Sequence, residues 1–531
     1  MNKGNIKFYL IFLFAIILGV SVDYLFYGKP VGVSFFVFIL IFIIFSLILA
    51  KKFGQKLTKI QYALLIPIIL FSAMVFLRSS GFLTFFNVVG SSFLIFLFFV
   101  LFSKENLRNF NFQKYFIAPL SFLVESFGKS ARFIEENIAQ IQAKKKFGSP
   151  EFRSVVRGII ISFPILALLI WLLASADIVF QRYLEKIWQI SIDPEIVLRI
   201  LIVMVASYFF IGIFAKAFTN KKSENSLIEK NQSQFLDSIE SSVILGAVGL
   251  LFLIFILIQF VYLFGGRDYV WGIEEYITYS EYARKGFGEL IAVSIISFLL
   301  IYGIDKFGKR ENVFQKRTFK ILSGILTLEL LIMMASAFKR LSLYIDGYGY
   351  TFSRLLGFIF LFWLFFIFLL FLYKIFSEQK ETHFIFSAFW LTILFWAGMN
   401  FLNPDAFVAK KNIERYTQGK QLDIWYFNQL SDDAIPEIMK IFEMEIPDET
   451  SEIKTKEAMA NHLDWCLQDP QCLGEFKESK WQSFNLSNRK AFESLQEHFP
   501  EIEKYNKMYE EMLEKSTIEY QGQEYKIELL E

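Results

Sequence analysis

Histidine and cysteine are almost missing from this sequence, with three and two among 531 residues. His383 and His498 have no partner by spacing, and His462 with Cys466 and Cys472 matches no familiar zinc pattern, so no metal site is expected. A glycine-rich phosphate loop, a GxSxG elbow, a paired-cysteine motif and HExxH are also absent. That removes the common signatures of nucleotide, acyl-transfer, thiol and zinc-protease chemistry, and no cofactor is expected. Charge is scarce as well: 20% of residues, for a net charge of only +2, where soluble domains carry about a quarter. Nucleic acid is not among the expected partners.

What fills the chain instead is apolar. Hydrophobic residues make up 55%, and 66 residues are Phe. Runs of about 20 apolar residues, the length that crosses about 30 Å of hydrocarbon as helix, recur over the first 400 residues. Eleven are expected, at about 8–27, 31–50, 60–77, 82–103, 158–176, 196–215, 242–264, 287–304, 318–337, 354–374 and 383–400. Helices are the expected form, because a closed barrel would show alternating ten-residue segments. The first run ends in Asp23 and bulky aromatics without a small-residue cleavage site, so it reads as a retained span.

The expected fold is therefore an all-α polytopic bundle with a C-terminal helical domain outside the membrane. Residues 1–103 hold spans one to four, 104–157 a cytoplasmic amphipathic segment, 158–400 spans five to eleven, and 401–531 the soluble helical domain. The N-terminus and even-numbered loops carry roughly 28 Lys and Arg against roughly ten in the odd-numbered loops. This places the basic loops and N-terminus in the cytoplasm and the tail outside. From Phe401 onward the tail holds 15 Lys and Arg against 27 Asp and Glu. Its last stretch, "TIEYQGQEYKIEL", alternates around a turn and reads as a terminal hairpin. Cys466 and Cys472 lie in the tail, where a disulfide suits an oxidising space and two free thiols are the alternative.

Ionisable groups at a membrane are costly and therefore informative. Asp23, Arg78, Asp177, Arg199, Glu281, Arg284, Glu289, Arg340, Asp346 and Arg354 all fall at the outer ends of spans under this topology. Glu329, midway along its span, is the exception. In "ITYSEYARKGFGELIAV", Glu281, Lys285 and Glu289 are spaced as one helical ladder with Arg284 beside it. Glu289 should face protein or water rather than lipid, with Arg78, Arg199, Arg340 or Arg354 as its cation. Ligand-cavity candidates are thus Asp23, Arg78, Asp177, Glu281, Arg284, Glu289, Arg340, Asp346 and Arg354. The plainer reading is that such charges snorkel to headgroups or pair to fix helix packing.

Several stretches also carry a resemblance: "LGVSVDYLFYGKPVGVS", "RGIIISFPILALLIWLLASADIVF", "YVWGIEEYITYSEYARKGFGELIAV", "KRLSLYIDGYGYTFSRLLGF", "NPDAFVAKKNIERY" and "WQSFNLSNRKAF". Together they resemble the bacterial polytopic membrane proteins of the uncharacterised family called domain of unknown function 4173. The resemblance implies a bacterial inner-membrane protein with a helical C-terminal portion. It implies no reaction and no catalytic residue. The leading expectation is a transporter or binder of a small or amphiphilic ligand through an outward-facing polar cavity. The alternatives are an envelope enzyme acting on a lipid-linked substrate, or a scaffold or sensor. Expected partners are membrane lipids, a small-molecule or lipid ligand, and an envelope protein bound through the tail.

The topology is tested by single cysteines near Lys145 and Ser487 in a background lacking the native pair. An impermeant thiol reagent applied to intact spheroplasts should label the tail position and spare Lys145; the reverse pattern would invert the topology.

Overall fold

The computed structural model describes residues 3–103, 105–145, 194–219, 236–264, 287–444, most of 453–463, 480–508 and 511. Every regular element among them is helical, so the protein is an all-α polytopic membrane protein. Ten of the described helices are long and apolar enough to cross a membrane. They coincide with ten of the eleven expected runs, because a stretch that must satisfy its own backbone in hydrocarbon has only one regular form available. The expected run at 158–176 lies outside the described residues, as do Cys466, Cys472 and the expected terminal hairpin.

The chain divides into two compact units. The first comprises Met1–Glu224 with Lys477–Leu486, and the second Asn225–Phe476 with Ser487–Glu531. In the first unit, α1 (Lys3–Phe26), α2 (Val33–Lys52), α3 (Lys59–Leu77) and α4 (Gly81–Val100) pack in sequence. A 34-residue helix follows, α5 (Phe112–Lys145), and then α6 (Pro194–Thr219), which packs against both α1 and α5. Two glycines set these close crossings. A Cβ on Gly19 would fall 2.1 Å from Ser207 Oγ, and one on Gly212 only 1.9 Å from the Ser126 carbonyl oxygen. α5 is the segment expected to be amphipathic. It buries Tyr115, Phe122, Ser126, Ser130 and Phe133 and exposes Phe112, Phe116, Leu120 and Val124, spaced one turn apart, so two faces of one helix are apolar.

A piece of the tail completes this unit. The 3-10 turn Trp481–Ser483 sits at the end where α1 meets α2 and α3 meets α4. The Val33 amide donates to the Phe484 carbonyl at 3.0 Å, and Asn485 Nδ2 donates to the Arg78 carbonyl at 2.8 Å. A Cβ on Gly32 would come within 2.6 Å of the Ser483 backbone, so the tail lies directly against bare chain. Tail and odd-numbered turns thus share one end of the first unit.

In the second unit, α7 (Ser238–Phe264), α8 (Phe287–Phe307), α9 (Val313–Tyr348), α10 (Phe352–Phe376) and α11 (Glu381–Leu402) are the membrane helices. α9 is the hub, packing on α7, α8 and α10. It has 36 residues, or about 54 Å at 1.5 Å per residue, well beyond the apolar run expected at 318–337. The excess consists of polar turns added at both ends. Short tail helices follow: α12 (Pro404–Thr417), α13 (Ile424–Phe427), α14 (Ile435–Glu443) and α15 (Leu486–Glu497). Their core gathers Ile413, Phe427, Ile438, Met439, Ile441, Leu463, Leu495 and Ile502. Ser487 is buried there and donates to Asp433 Oδ1 at 2.6 Å, so the outer reporter cysteine of the labelling experiment belongs at Trp425, which is 82% exposed.

This tail core binds protons. Burial, and then the neighbouring Asp433, push the Asp432 carboxyl up to about 6. For His498, burial pulls down, but hydrogen bonds to the Ser494 carbonyl and Glu443 carboxylate win and raise it above its ordinary value. Both groups hold a proton more tightly folded than unfolded. Their stabilisation is fully present below the ordinary carboxylate and imidazole values and is lost as pH rises through about 6 for Asp432 and past about 6.5 for His498. Amide-exchange protection of α12 and α14 in the whole protein, corrected for intrinsic exchange, should fall by about 1–2 kcal/mol between mildly acidic and mildly alkaline pH. Asp432→Asn should flatten part of that fall.

Candidate functional site

The densest buried ionic chemistry among the described residues lies at the basic-loop end of the second unit. Four helix ends meet there: the last turn of α8, the first of α9, the last of α10 and the first of α11. Each end forms for a local reason. Gln315 closes a capping box on Asn312, its Oε1 accepting from the Asn312 amide at 3.2 Å, which starts α9 directly after the turn. Glu378 takes a left-handed φ of 52° beyond the end of α10, and Glu381 stands in the first turn of α11, where a carboxylate suits the helix dipole.

Asp305 is the hub. It receives Lys374 Nζ from α10, and its Oδ1 accepts from Arg310 Nη1 at 3.1 Å. The Asp305 and Lys374 side chains are only 12% and 9% exposed. Arg310 also donates to the Ile304 carbonyl at 3.0 Å and stacks 3.5 Å from the centroid of Phe319. Burial lowers its guanidinium to about 10, which leaves it charged at neutral pH. Beside it, Lys320 pairs with Glu378 at 2.7 Å and reaches the Phe376 carbonyl. Lys320, with Lys316 adding to the field, holds the Glu378 carboxyl below its ordinary range. Lys306 and Tyr302 both bond Glu381.

A cavity of about 290 Å³ opens among Asp305, Arg310, Lys316, Phe319, Lys320, Lys374 and Glu378. Four cations and two carboxylates line it, so its charge excess is positive. Lys316 is exposed, and next to it Val313 and Phe314 are 83% and 79% exposed. The arrangement suits an anion, above all one with an apolar portion. Among the described residues no three or more of His, Cys, Asp and Glu converge to hold a metal ion.

Within the second unit, the described candidates drawn from the sequence lie at or near the other helix ends. In the first unit, Asp23 and Arg199 meet: Nε donates to Oδ1 at 3.1 Å and Nη2 to Oδ2 at 2.8 Å, with Tyr27 beneath the guanidinium. Arg78 ends α3 and offers its carbonyl to Asn485. In the second unit, Asp346 and Arg354 share one cluster. Arg354 donates to the Tyr348 and Gly349 carbonyls at 3.1 and 2.6 Å and lies over Tyr344. Arg415 of α12 donates to the Ile345 and Asp346 carbonyls, and Asn412 bonds Tyr350 through both its oxygen and its nitrogen. Arg340 is half-buried on α9, and Glu289 is exposed in the first turn of α8. Asp177, Glu281 and Arg284 lie outside the described residues.

Sequence reasoning counted Arg310 and Lys316 only as topology markers and passed over Asp305, Lys320, Lys374 and Glu378. The available signal was Asp305 and Lys374, each placed one turn inside an otherwise apolar helix end.

Residues 65–441 match the family described as Domain of unknown function (DUF4153). The chain belongs to this family. The expectation of an uncharacterised family is met, but the family is DUF4153 rather than the one numbered 4173. Two of the stretches that carried the resemblance, at 18–34 and 481–492, fall outside the DUF4153 match. Comparison with curated proteins and with solved structures finds no match. Both the Asp305 hub and the Arg354 cluster lie inside the matched span.

Removing one partner of a buried ion pair leaves the other charge uncompensated, at a cost of roughly 3 kcal/mol or more. Asp305→Asn should therefore lower the unfolding midpoint of the detergent-purified protein markedly. Asp305→Leu combined with Lys374→Met should recover part of the loss, the remainder being the Arg310 guanidinium left without its carboxylate. Equal damage from both variants would refute the pairing.

Proposed function

We propose that this integral membrane protein binds, and by doing so positions or moves, a small or amphiphilic anion of the phosphate class at the basic end of its second unit. The observation that carries the reading is the cavity beside Asp305. Cations exceed carboxylates there, Arg310 and Lys374 are held by buried contacts, and Lys316 stands open to solvent beside two exposed apolar residues. This keeps the expected class of ligand but moves its place. Asp23 and Arg354 already spend their charge on Arg199 and on turn carbonyls.

With basic loops inside, this protein is a bacterial inner-membrane protein with a cytoplasmic N-terminus and an external tail, and the cavity faces the cytoplasm. There it meets both anionic lipid headgroups and soluble phosphates. A second reading, a membrane scaffold, has its own support: Asn412 and Arg415 fasten α12 to the turn after α9 through backbone bonds that need no ligand.

Native mass spectrometry of the full chain in detergent distinguishes the ligand sources. Short-chain phosphatidylglycerol should be retained more than short-chain phosphatidylcholine, and inorganic phosphate should compete with it. Lys316→Gln with Lys320→Gln should weaken retention about tenfold, as expected for two partly exposed contacts of about 0.5–1 kcal/mol each. Equal retention of both lipids, or no effect of the double variant, would overturn the reading in favour of the scaffold.

A further inference from the structure

Glu329 lies midway along α9, and its residue is 7% exposed. Its Oε2 is buried with no hydrogen-bond partner. The nearest charges on its own helix are Lys320 and Lys339, about 13.5 and 15 Å away along the axis. Across the interface it meets the bare backbone of α7, where a Cβ on Gly249 would stand 3.5 Å from Oε2. Glycine here leaves room for the carboxyl while offering it no side-chain donor.

The ionisable groups on the helices packed against α9 stand toward the helix ends. α7 carries Glu240 and Tyr262; α8 carries Glu289, Tyr302, Asp305 and Lys306; α10 carries Arg354, Tyr373 and Lys374. The cations among them are engaged elsewhere: Lys306 with Glu381, Lys374 with Asp305, and Arg354 with turn carbonyls. A nearby hydroxyl shows how a polar group is normally accommodated in this helix, Thr327 Oγ1 donating to the Ser323 carbonyl at 2.7 Å. A carboxylate has no proton to donate in that way. Left charged in hydrocarbon it would cost several kcal/mol, and a proton is the one ligand that removes the charge without needing space.

We propose that Glu329 is a proton-binding site inside the membrane, its carboxyl carried as the acid and open to exchange only when water or a ligand reaches it. The site is separate from the basic cavity and does not rest on the function proposed for it. Intramembrane carboxyls of this kind serve proton relays and ion-coupled movement.

An apolar carbodiimide partitions into the hydrocarbon and reacts with a carboxyl there only while it carries its proton. The carboxyl oxygen adds to the central carbon, the proton goes to nitrogen, and rearrangement gives a stable N-acylurea with nothing leaving. Membranes containing the full chain would be treated with dicyclohexylcarbodiimide or with a water-soluble carbodiimide, and adducts located by peptide mass spectrometry. The expected result is an adduct on Glu329 from the apolar reagent, at least tenfold above the water-soluble one, that declines toward alkaline pH. Glu329→Gln should lose that adduct and elute in detergent as wild type does. Because the adduct is located in the wild-type chain, the test stands even if the variant misfolds. No adduct on Glu329 from the apolar reagent, or equal labelling by both reagents, would overturn the proposal.

Discussion

A bilayer supplies no hydrogen bonds, and this single constraint arranges most of the polar chemistry described above. Small hydroxyls inside the spans turn back on their own helix: Ser46 to Phe42, Ser91 to Asn87, Ser294 to Leu290 and Thr327 to Ser323. Larger charges cannot do this and collect at helix ends. Asp23 with Arg199, Lys216 with Glu125, and Asp305 with Lys374 are the solutions found. In each pair the partners come from different helices, so each also fixes which helices lie side by side.

The two kinds of end differ in what they do with charge. At the odd-turn ends, guanidiniums and amides are spent on backbone carbonyls: Arg354 on Tyr348 and Gly349, Arg415 on Ile345 and Asp346, Asn485 on Arg78. Such bonds fasten chain to chain and leave little to offer a ligand. At the basic end of the second unit, cations meet carboxylates and still outnumber them around an open space. Basic residues in alternate loops serve to set orientation in any case. What the fold adds is convergence, since three helix ends, those of α8, α9 and α10, and the turns beside them bring those charges around one cavity.

Spans were legible in the sequence because length and hydropathy decide them locally. The ends of α9 were not, since "FKRLSLYIDGY" reads as loop by hydropathy. It stays helical because Arg415 and Asn412, some 60 to 70 residues later, bond its last turn and the chain just beyond. The sequence marks these helix-end charges as costly but does not give their partners. Periodicity tells which face of a helix a residue occupies and nothing about which helix it faces. Arg199 was held in reserve for Glu289, while the fold brings it to Asp23, 176 positions away. The basic cavity was missed for the same reason, as Asp305 and Lys374 lie in different helices and each alone resembles an ordinary helix-end charge.

α9 ties these features together. Phe319 and Lys320 of its first turns line the cavity, Glu329 lies about 13.5 Å further along, and Ile345 receives Arg415 about 24 Å beyond that. A continuous helix resists bending, so displacement at the cavity is carried along its length rather than absorbed nearby. Gly249 presents backbone alone to the carboxyl, with no side chain of its own to stand against Oε2. A shared rigid helix is a mechanical link, and coupling additionally requires that occupancy at one site change the energy of the other. The charge state of Glu329 meets that requirement in principle, because a carboxylate seeks water and a carboxylic acid tolerates its absence. The side of the membrane from which water reaches it would then depend on where α9 stands.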